Sequence, residues 1–221
     1  MKKNKIAFIL NVLIVLMVSF ASLMMFTGIK ITHGVEPVLE STGLSIFRFF
    51  TVDSNLFQSI MSLIFACYEY KLIKGKISYI SKKLYILKFM STVAVCLTFL
   101  VVLFYLGPIA KGGLLSLLRN SNLFLHLLVP VTSIICFVFF ESSNKLKAKD
   151  TFYGLVPVMI YAVYYLSNVL IHMEDGKVSP KYDFYWFVQS GVKTVFIVIP
   201  VMLIFTYLIS FVIWKYHSKF D

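Results

Sequence analysis

The sequence predicts an all-α, polytopic integral membrane protein with six transmembrane helices, and its composition and hydropathy pattern lead to that class. Hydrophobic residues make up 59% of its 221 residues and charged residues 14%, whereas a soluble domain carries roughly a quarter charged residues. The mean hydropathy is +0.86, and the apolar residues fall into six long runs separated by short polar segments. We therefore expect a single six-span transmembrane domain over residues 1–221, without a linker or a second soluble domain.

Each apolar run is long enough for a helix that crosses a hydrocarbon core of about 30 Å, which takes about 20 residues. The first run follows a basic start, as in a signal peptide, but it is longer and no small-x-small site ends it, so we expect it to be retained. The last run is long enough to tilt or to extend beyond the membrane. The predicted spans are Ile6–Thr27, Leu44–Cys67, Tyr85–Leu106, Asn122–Phe140, Thr151–Ile171 and Val188–Trp214.

The basic residues are unevenly divided between the segments that join these spans. The positive-inside rule therefore predicts that both termini are cytoplasmic, which agrees with an even number of spans in the cell membrane. The cytoplasmic set is Lys2, Lys3, Lys5, Lys71, Lys74, Lys76, Lys82, Lys83, Lys88, Lys145, Lys147, Lys149, Lys215 and Lys219. The opposite side keeps Lys30, Lys111, Lys177 and Lys181, with Arg48, Arg119 and Lys193 near its boundary.

The net charge of +11 would suggest nucleic-acid binding in a soluble protein. Here the basic clusters lie between apolar runs, where they orient the spans and meet anionic head groups, so we expect membrane lipids as partners and no nucleic acid. Four histidines and three cysteines show no metal-ligand spacing, and no cofactor-binding motif is present, so no metal or cofactor is expected. Only His126 is expected to lie deep in a span.

Polar residues inside the spans are the most informative feature, because such groups are costly in a membrane. They concentrate in the outer halves of four spans, while the inner halves are nearly bare. At about 100° per residue they form one stripe on each span, and we expect the four stripes to face a common cavity. The stripes are Arg48, Thr51, Asn55, Gln58, Ser59 and Ser62; Arg119, Asn122, His126, Pro130 and Ser133; Tyr161, Tyr164, Tyr165, Asn168 and His172; and, if the last helix starts that early, Tyr182, Trp186, Gln189, Lys193 and Pro200.

Two further interpretations apply to these polar residues. Side chains of this kind bond helices to one another in many bundles, so a single stripe is also explained by interhelical hydrogen bonds. Four stripes at one depth favour a site. Asp53 points away from the Thr51 face in an unbroken helix. We expect it to form a structural ion pair with Lys193 or Arg119, and the alternative is a catalytic role.

A hydroxyl and an imidazole stand at matching depth in the second and fourth spans. A neutral His can take the proton from a Thr hydroxyl as that hydroxyl attacks an ester carbonyl, while Asn and Arg donors stabilise the oxyanion. Thr51 and His126 are therefore the candidate nucleophile and base.

Two segments carry a resemblance to a known family: Arg48-Phe-Phe-Thr-Val-Asp-Ser-Asn-Leu-Phe-Gln58, and Leu125-His-Leu-Leu-Val-Pro130 followed by Glu141. They resemble the androgen-induced and androgen-dependent six-span membrane proteins, whose mammalian members are threonine hydrolases that cleave fatty acid esters of hydroxy fatty acids. The spacing from His to Pro is one residue shorter here, and residues 53–55 resemble the bacterial branch. The resemblance implies Thr51 as nucleophile and His126 as base.

The sequence thus predicts an intramembrane hydrolase of lipid esters with its site on the outward side. Arg48, Asn55, Asn122 or Lys193 would hold the oxyanion or a substrate carboxylate. Gln58 and Asn168 are further candidates for substrate binding, and Tyr164, Tyr165 and Trp186 would line the acyl path or belong to an interfacial belt. The alternative is a non-enzymatic small-solute carrier or the substrate-binding subunit of an importer, because an outward-facing polar cavity suits capture equally well.

Overall fold

The computed structural model describes residues 2–32, 41–141, 146–188 and 191–220. Within them the regular secondary structure is helical apart from one small hairpin, and six helices are long and apolar enough to cross a membrane, as the sequence predicts. The six helices are α1 (Lys2–Thr27), α2 (Phe50–Ile73), α3 (Lys82–Ile109), α4 (Ser121–Phe140), α5 (Ala148–Ile171) and α6 (Val195–Phe220).

Short elements join these helices. A 3₁₀ helix, Gly43–Arg48, leads into α2, and a single helical turn, Gly113–Ser116, lies between α3 and α4. The hairpin after α5 consists of β1 (Met173–Glu174) and β2 (Lys177–Val178). Asp175 and Gly176 form its two-residue turn, and both have positive φ, which is the backbone that a tight Asp-Gly hairpin requires.

The third helix is the centre of the bundle. It contacts α2, α4, α5 and α6, while α1 packs along α2 and against α4. Gly154 lets the 3₁₀ start of α5 approach α6 closely, since a Cβ there would lie 2.4 Å from Ser210 Oγ. Ser210 Oγ uses that approach to donate to Thr151 O at 2.6 Å. The outward faces remain apolar, with Phe196 of α6 78% exposed, which is compatible with lipid contact.

Both ends of the chain lie at the same end of the bundle. Lys3 Nζ donates to Phe220 O at 2.8 Å, and the rings of Phe8 and Tyr70 are 6.3 Å apart, so the start of α1 is beside the end of α2. We call this end the termini end (residues 2–8, 70–83, 139–141, 146–150 and 214–220). The opposite end is the loop end (residues 27–32, 41–50, 107–121, 171–188 and 191–194).

The last helix begins later than the sequence suggested. The predicted span started at Val188, whereas α6 starts at Val195, and residues 179–188 form turns at the loop end. The apolar residues of this segment are buried against protein: Phe184 is 3% exposed and its ring packs edge-on against Phe49 at 5.6 Å. Their hydrophobicity therefore reflects packing on α2 and α5, which periodicity alone cannot separate from lipid contact.

Candidate functional site

The two segments that carry the family resemblance lie next to each other. Thr51 is in the first turn of α2, and His126 is in the first turns of α4. The fully buried Asn55 joins them, since its Nδ2 donates to Thr51 O at 2.7 Å and to Leu125 O at 3.2 Å. One amide group thus fixes the backbone beside the candidate nucleophile and the backbone beside the candidate base.

Pro130 explains why the Leu125 carbonyl needs a partner from another helix. Residues 124–128 form a π-helical turn in which Val129 N bonds to Phe124 O, five residues back. In the same five-residue register, the donor for Leu125 O would be the backbone N–H of residue 130, and proline has no N–H. The Leu125 oxygen is left without a donor from its own helix, and Asn55 supplies one. Local π geometry of this kind is frequent at functional sites.

His126 is held by the loop that precedes α4. Its Nδ1 lies 3.1 Å from Leu117 O, and because a carbonyl only accepts, Nδ1 carries the proton in the neutral ring. Nε2 is then the acceptor, which is the nitrogen that a general base uses. Within the described residues no hydrogen bond joins His126 to the Thr51 hydroxyl, so the catalytic roles of both residues stay predictions.

A cleft of about 500 Å³ opens at the loop end. It gathers predicted residues from the 3₁₀ helix before α2, from α2, from α5 and from the segment before α6. Neither Thr51 nor His126 lines it. Its lining residues are Leu44, Ser45, Phe47, Arg48, Asp53, Tyr164, Asn168, Lys181, Tyr182 and Phe184.

Arg48 and Asp53 bring charges of opposite sign to this cleft. The Arg48 guanidinium lies over the rings of Phe49 and Phe184, 4.8 and 5.3 Å from their centres, so aromatic contacts fix its position. The expected ion pair of Asp53 with Lys193 or Arg119 is wrong: neither cation comes within ion-pair distance of it. Lys193 does not reach Asp53 because it is exposed on the 3₁₀ turn that precedes α6.

The polar stripe predicted for the sixth span does not exist as a helix face, because α6 starts at Val195. Tyr182 instead stacks on His172, with ring centres 3.6 Å apart. Trp186 is 47% exposed and has a positive φ of 58°. Gln189, which the stripe also included, lies outside the described residues.

The remaining predicted residues differ in what they contact. Gln58 is fully buried and accepts from Ser91 Oγ at 2.6 Å, which is an interhelical hydrogen bond between α2 and α3. The Asn168 amide donates to Tyr182 O at 3.0 Å and so holds a wall of the cleft. Tyr164 is 45% exposed, and the Asn122 side chain makes no hydrogen bond to any described residue.

Tyr165 anchors the segment before α6. Its buried hydroxyl donates to Asp183, a carboxylate that is 1% exposed and also accepts from Val188 N at 3.2 Å. Next to it, Tyr185 Oη accepts from Phe50 N at 3.1 Å, at the start of α2. Burial raises the pKa of Tyr185 to about 12, so this hydroxyl is neutral at physiological pH.

The expectation that the inner halves of the spans are nearly bare is wrong. Lys88, which was counted among the cytoplasmic lysines, is fully buried between helices, and Nζ donates to Asn11 Oδ1 at 2.6 Å and to Ser62 Oγ at 2.7 Å. Glu141 pairs with it at 3.6 Å. We call this group the Lys88 cluster: Asn11, Ser62, Glu69, Lys88, Cys136 and Glu141.

A signal for the Lys88 cluster was present in the sequence. Asn11 stands inside the first apolar run, and Glu69 continues the polar stripe of α2 seven residues after Ser62, on the same helix face. His217, near the end of α6, is also buried, since it is 1% exposed with Nδ1 at 2.9 Å from Phe137 O. Among the described residues, no group of three or more His, Cys, Asp or Glu could hold a metal ion.

Together these features define the class of the protein: an all-helical chain whose six long apolar helices are compatible with a multi-pass membrane protein, with polar residues buried along its axis. No protein-family model, no curated protein and no solved structure matches the chain.

Proposed function

We propose that this chain is a multi-pass cell-membrane protein that hydrolyses lipid esters, with Thr51 as nucleophile and His126 as base. The observation that carries the proposal is the double hydrogen bond of Asn55, which places Thr51 and the π-helical turn of His126 side by side. The resemblance of the same two segments to threonine hydrolases of the androgen-induced and androgen-dependent family, bacterial branch, supports it independently.

The proposed reaction uses the two residues in sequence. Nε2 of His126 takes the proton of the Thr51 hydroxyl as its oxygen attacks the ester carbonyl, and the Leu117 carbonyl keeps Nδ1 protonated and stabilises the imidazolium. The alcohol leaves with that proton, and an acyl group remains on Thr51. Water, deprotonated by His126, then attacks the acyl carbon. The bond from that carbon to Thr51 Oγ breaks, His126 returns the proton to Oγ, and the fatty acid leaves. The absence of a Thr51–His126 hydrogen bond in the free protein agrees with contacts that tighten only when substrate binds.

Donors for the developing oxyanion are available nearby. The Asn122 amide stands one turn before His126 and has no hydrogen-bond partner among the described residues, so it can donate without breaking a bond. Arg48, which lines the cleft, would meet a substrate carboxylate there. The proposed partners are membrane lipids and a lipid ester that enters sideways, past exposed apolar residues such as Leu44 and Ile171. The proposal needs no cofactor or metal.

The proposed orientation places both termini in the cytoplasm. Its support is that the two termini lie at one end of the bundle and that this end carries most of the exposed lysines. The loop end, with the cleft and the Thr51–His126 region, then faces outward.

A fluorophosphonate probe on detergent-solubilised protein tests the catalytic pair. We expect wild type and Thr51→Ser to be labelled, and Thr51→Ala and His126→Ala to lose labelling at least tenfold. Thr27→Ala is the matched control, because Thr27 is an exposed threonine at the same end whose hydroxyl bonds to its own helix at Leu23 O. Thermal unfolding confirms that each variant is folded. Labelling of folded Thr51→Ala and His126→Ala at the wild-type level contradicts the mechanism.

One observation favours a second function, a non-enzymatic carrier or the substrate-binding subunit of an importer. The cleft carries charges of both signs and is lined by neither Thr51 nor His126. A small polar solute bound there would meet Arg48, Asp53 and Lys181 without touching the proposed catalytic pair. If wild type stays unlabelled beside a labelled reference hydrolase, while a small solute co-purifies with wild type and is lost in Asp53→Asn, the binding function replaces the hydrolase.

A further inference from the structure

The Lys88 cluster does not balance its own charge. It contains two carboxylates, Glu69 and Glu141, and one ammonium, Lys88, and each of the three residues is at most 2% exposed. With all three ionised the cluster carries one net negative charge in the interior of the bundle. An unneutralised charge in such a dry interior is among the costliest features that a fold can hold, and the usual remedy is a bound cation or a proton.

The closest polar partners of Lys88 are groups other than Glu69. Its ammonium has three N–H donors, and three oxygens surround it: Asn11 Oδ1 at 2.6 Å, Ser62 Oγ at 2.7 Å and Glu141 Oε1 at 3.6 Å. Two of the N–H groups are used in hydrogen bonds, and among the described carboxylates Glu141, not Glu69, lies within ion-pair distance of Nζ. Lys88 therefore neutralises one carboxylate of the cluster and cannot neutralise the second.

The contacts distinguish the two carboxylates. Glu141 Oε1 accepts from Asn11 Nδ2 at 2.7 Å and from Cys136 Sγ at 3.3 Å, in addition to its pairing with Lys88. Glu69 receives no hydrogen bond from the described residues, and its Oε2 is buried without a partner. The ionisable described residues that act on Glu69 electrostatically are Glu141 and Lys88. Glu141 is thus stabilised as an anion, and Glu69 is not.

We infer that the Lys88 cluster is a proton-binding site in which Glu69 carries one exchangeable proton, while Lys88 and Glu141 remain an ion pair. A protonated Glu69 makes the cluster neutral. It also removes the charge from a carboxylate whose Oε2 is buried without a hydrogen-bond partner. The site is a binding function separate from the proposed hydrolase, because the cluster lies in the half of the bundle away from Thr51 and His126.

The termini end supplies the proton. Glu69 is four residues before the last residue of α2, Ile73, which corresponds to about 6 Å along the axis at 1.5 Å per residue. Glu141 directly follows the last residue of α4. The cluster is thus within about one helical turn of solvent at this end, and most of the bundle separates it from the loop end.

Infrared difference spectroscopy of the whole protein in nanodiscs tests the inference, because a protonated buried carboxylic acid has its own carbonyl stretch that shifts on H/D exchange. At neutral pH we expect such a band in wild type, complete loss in Glu69→Gln, and no change in Glu174→Gln, an exposed glutamate of the hairpin. Glu69→Gln should be as stable as wild type, since the amide imitates the protonated acid. Persistence of the band in Glu69→Gln overturns the inference.

Charge balance also predicts how two substitutions of the other charged residues change the infrared band. Lys88→Met should double the band, since both carboxylates must then be protonated. Glu141→Gln should abolish it, since Glu69 must ionise to balance Lys88, and this variant serves if Lys88→Met does not fold. Retention of the band in Glu141→Gln overturns the inference. So does a wild type that shows no band but gains thermal stability from Na⁺ only when Glu69 is present, because the site then binds an alkali ion.

Discussion

Asn55 Nδ2 donates a hydrogen bond to Leu125 O at 3.2 Å, across the interface between α2 and α4, and this bond satisfies a carbonyl that Pro130 leaves without a donor. We expect Asn55→Ala to lower the free energy of unfolding by about 1–3 kcal/mol, the cost of leaving a buried polar group unsatisfied. It should also lower probe labelling at Thr51, since the two motifs lose their link. Thermal unfolding and labelling in detergent measure both effects.

Asn122→Ala is the matched control for the stability effect, because Asn122 lies on the same interface end but makes no hydrogen bond to a described residue. Asn122→Ala should therefore have a melting temperature near that of wild type. Equal melting temperatures for Asn55→Ala and wild type would show that the Leu125 carbonyl has another donor.

Lys88 gives a prediction about stability and its pH dependence. Lys88→Met leaves Glu141 buried without its counterion, and breaking a buried ion pair in this way costs about 3–5 kcal/mol. This loss of stability should shrink as the pH falls, because a proton then neutralises the Glu141 carboxylate that Lys88 no longer balances. Thermal unfolding across a pH series measures it.

Lys83→Met is the control, since Lys83 lies on the same helix but is exposed. We expect a change of at most about 0.5 kcal/mol, as for surface substitutions in general. A destabilisation of Lys88→Met that does not depend on pH would mean that lost packing, and not unbalanced charge, is the cause.

The sequence predicted the six helices well because long apolar runs dominate any other signal in a membrane protein. The sequence-based prediction failed where apolar residues could either face lipid or pack against protein. The residues around Phe184 pack against α2 and α5, whereas the predicted sixth stripe requires the last helix to extend back over them to Tyr182. Aromatic residues that cover a protein surface and those that face lipid look alike in one sequence.

The Lys88 cluster was missed for a different reason. The positive-inside rule treats every lysine near a span end as a loop residue, and Lys88 is only six residues into α3. Its partners come from three other helices, and Asn11 and Glu141 are 130 residues apart in the chain. A single sequence gives the polar residues of each helix but not the rotation that brings them together. For the same reason, the sequence identified Thr51 and His126 as candidates but did not predict that Asn55 bonds to the backbone beside both of them.

Tyr165 and Tyr164 allow a matched pair of substitutions at neighbouring positions. The Tyr165 hydroxyl bonds to the buried Asp183, so Tyr165→Phe should cost about 1–3 kcal/mol by removing one of its donors. Tyr164 is 45% exposed, and Tyr164→Phe should cost little. Hydrogen exchange adds a local readout, because the Val188 N–H that Asp183 accepts should exchange faster only in Tyr165→Phe. Equal exchange of the Val188 N–H in both variants would contradict the anchoring role of Tyr165.

Surface labelling in intact cells tests the proposed orientation. A membrane-impermeant amine reagent should modify Lys111, Lys177 and Lys181, which are exposed at the loop end, and should spare Lys74 and Lys219 at the termini end until the cells are permeabilised. Mass spectrometry of the digested protein identifies the modified peptides. Because all five side chains are exposed, a difference between them reports the membrane barrier and not burial in the protein. The opposite pattern would place the termini outside, and the Thr51–His126 region would then face the cytoplasm.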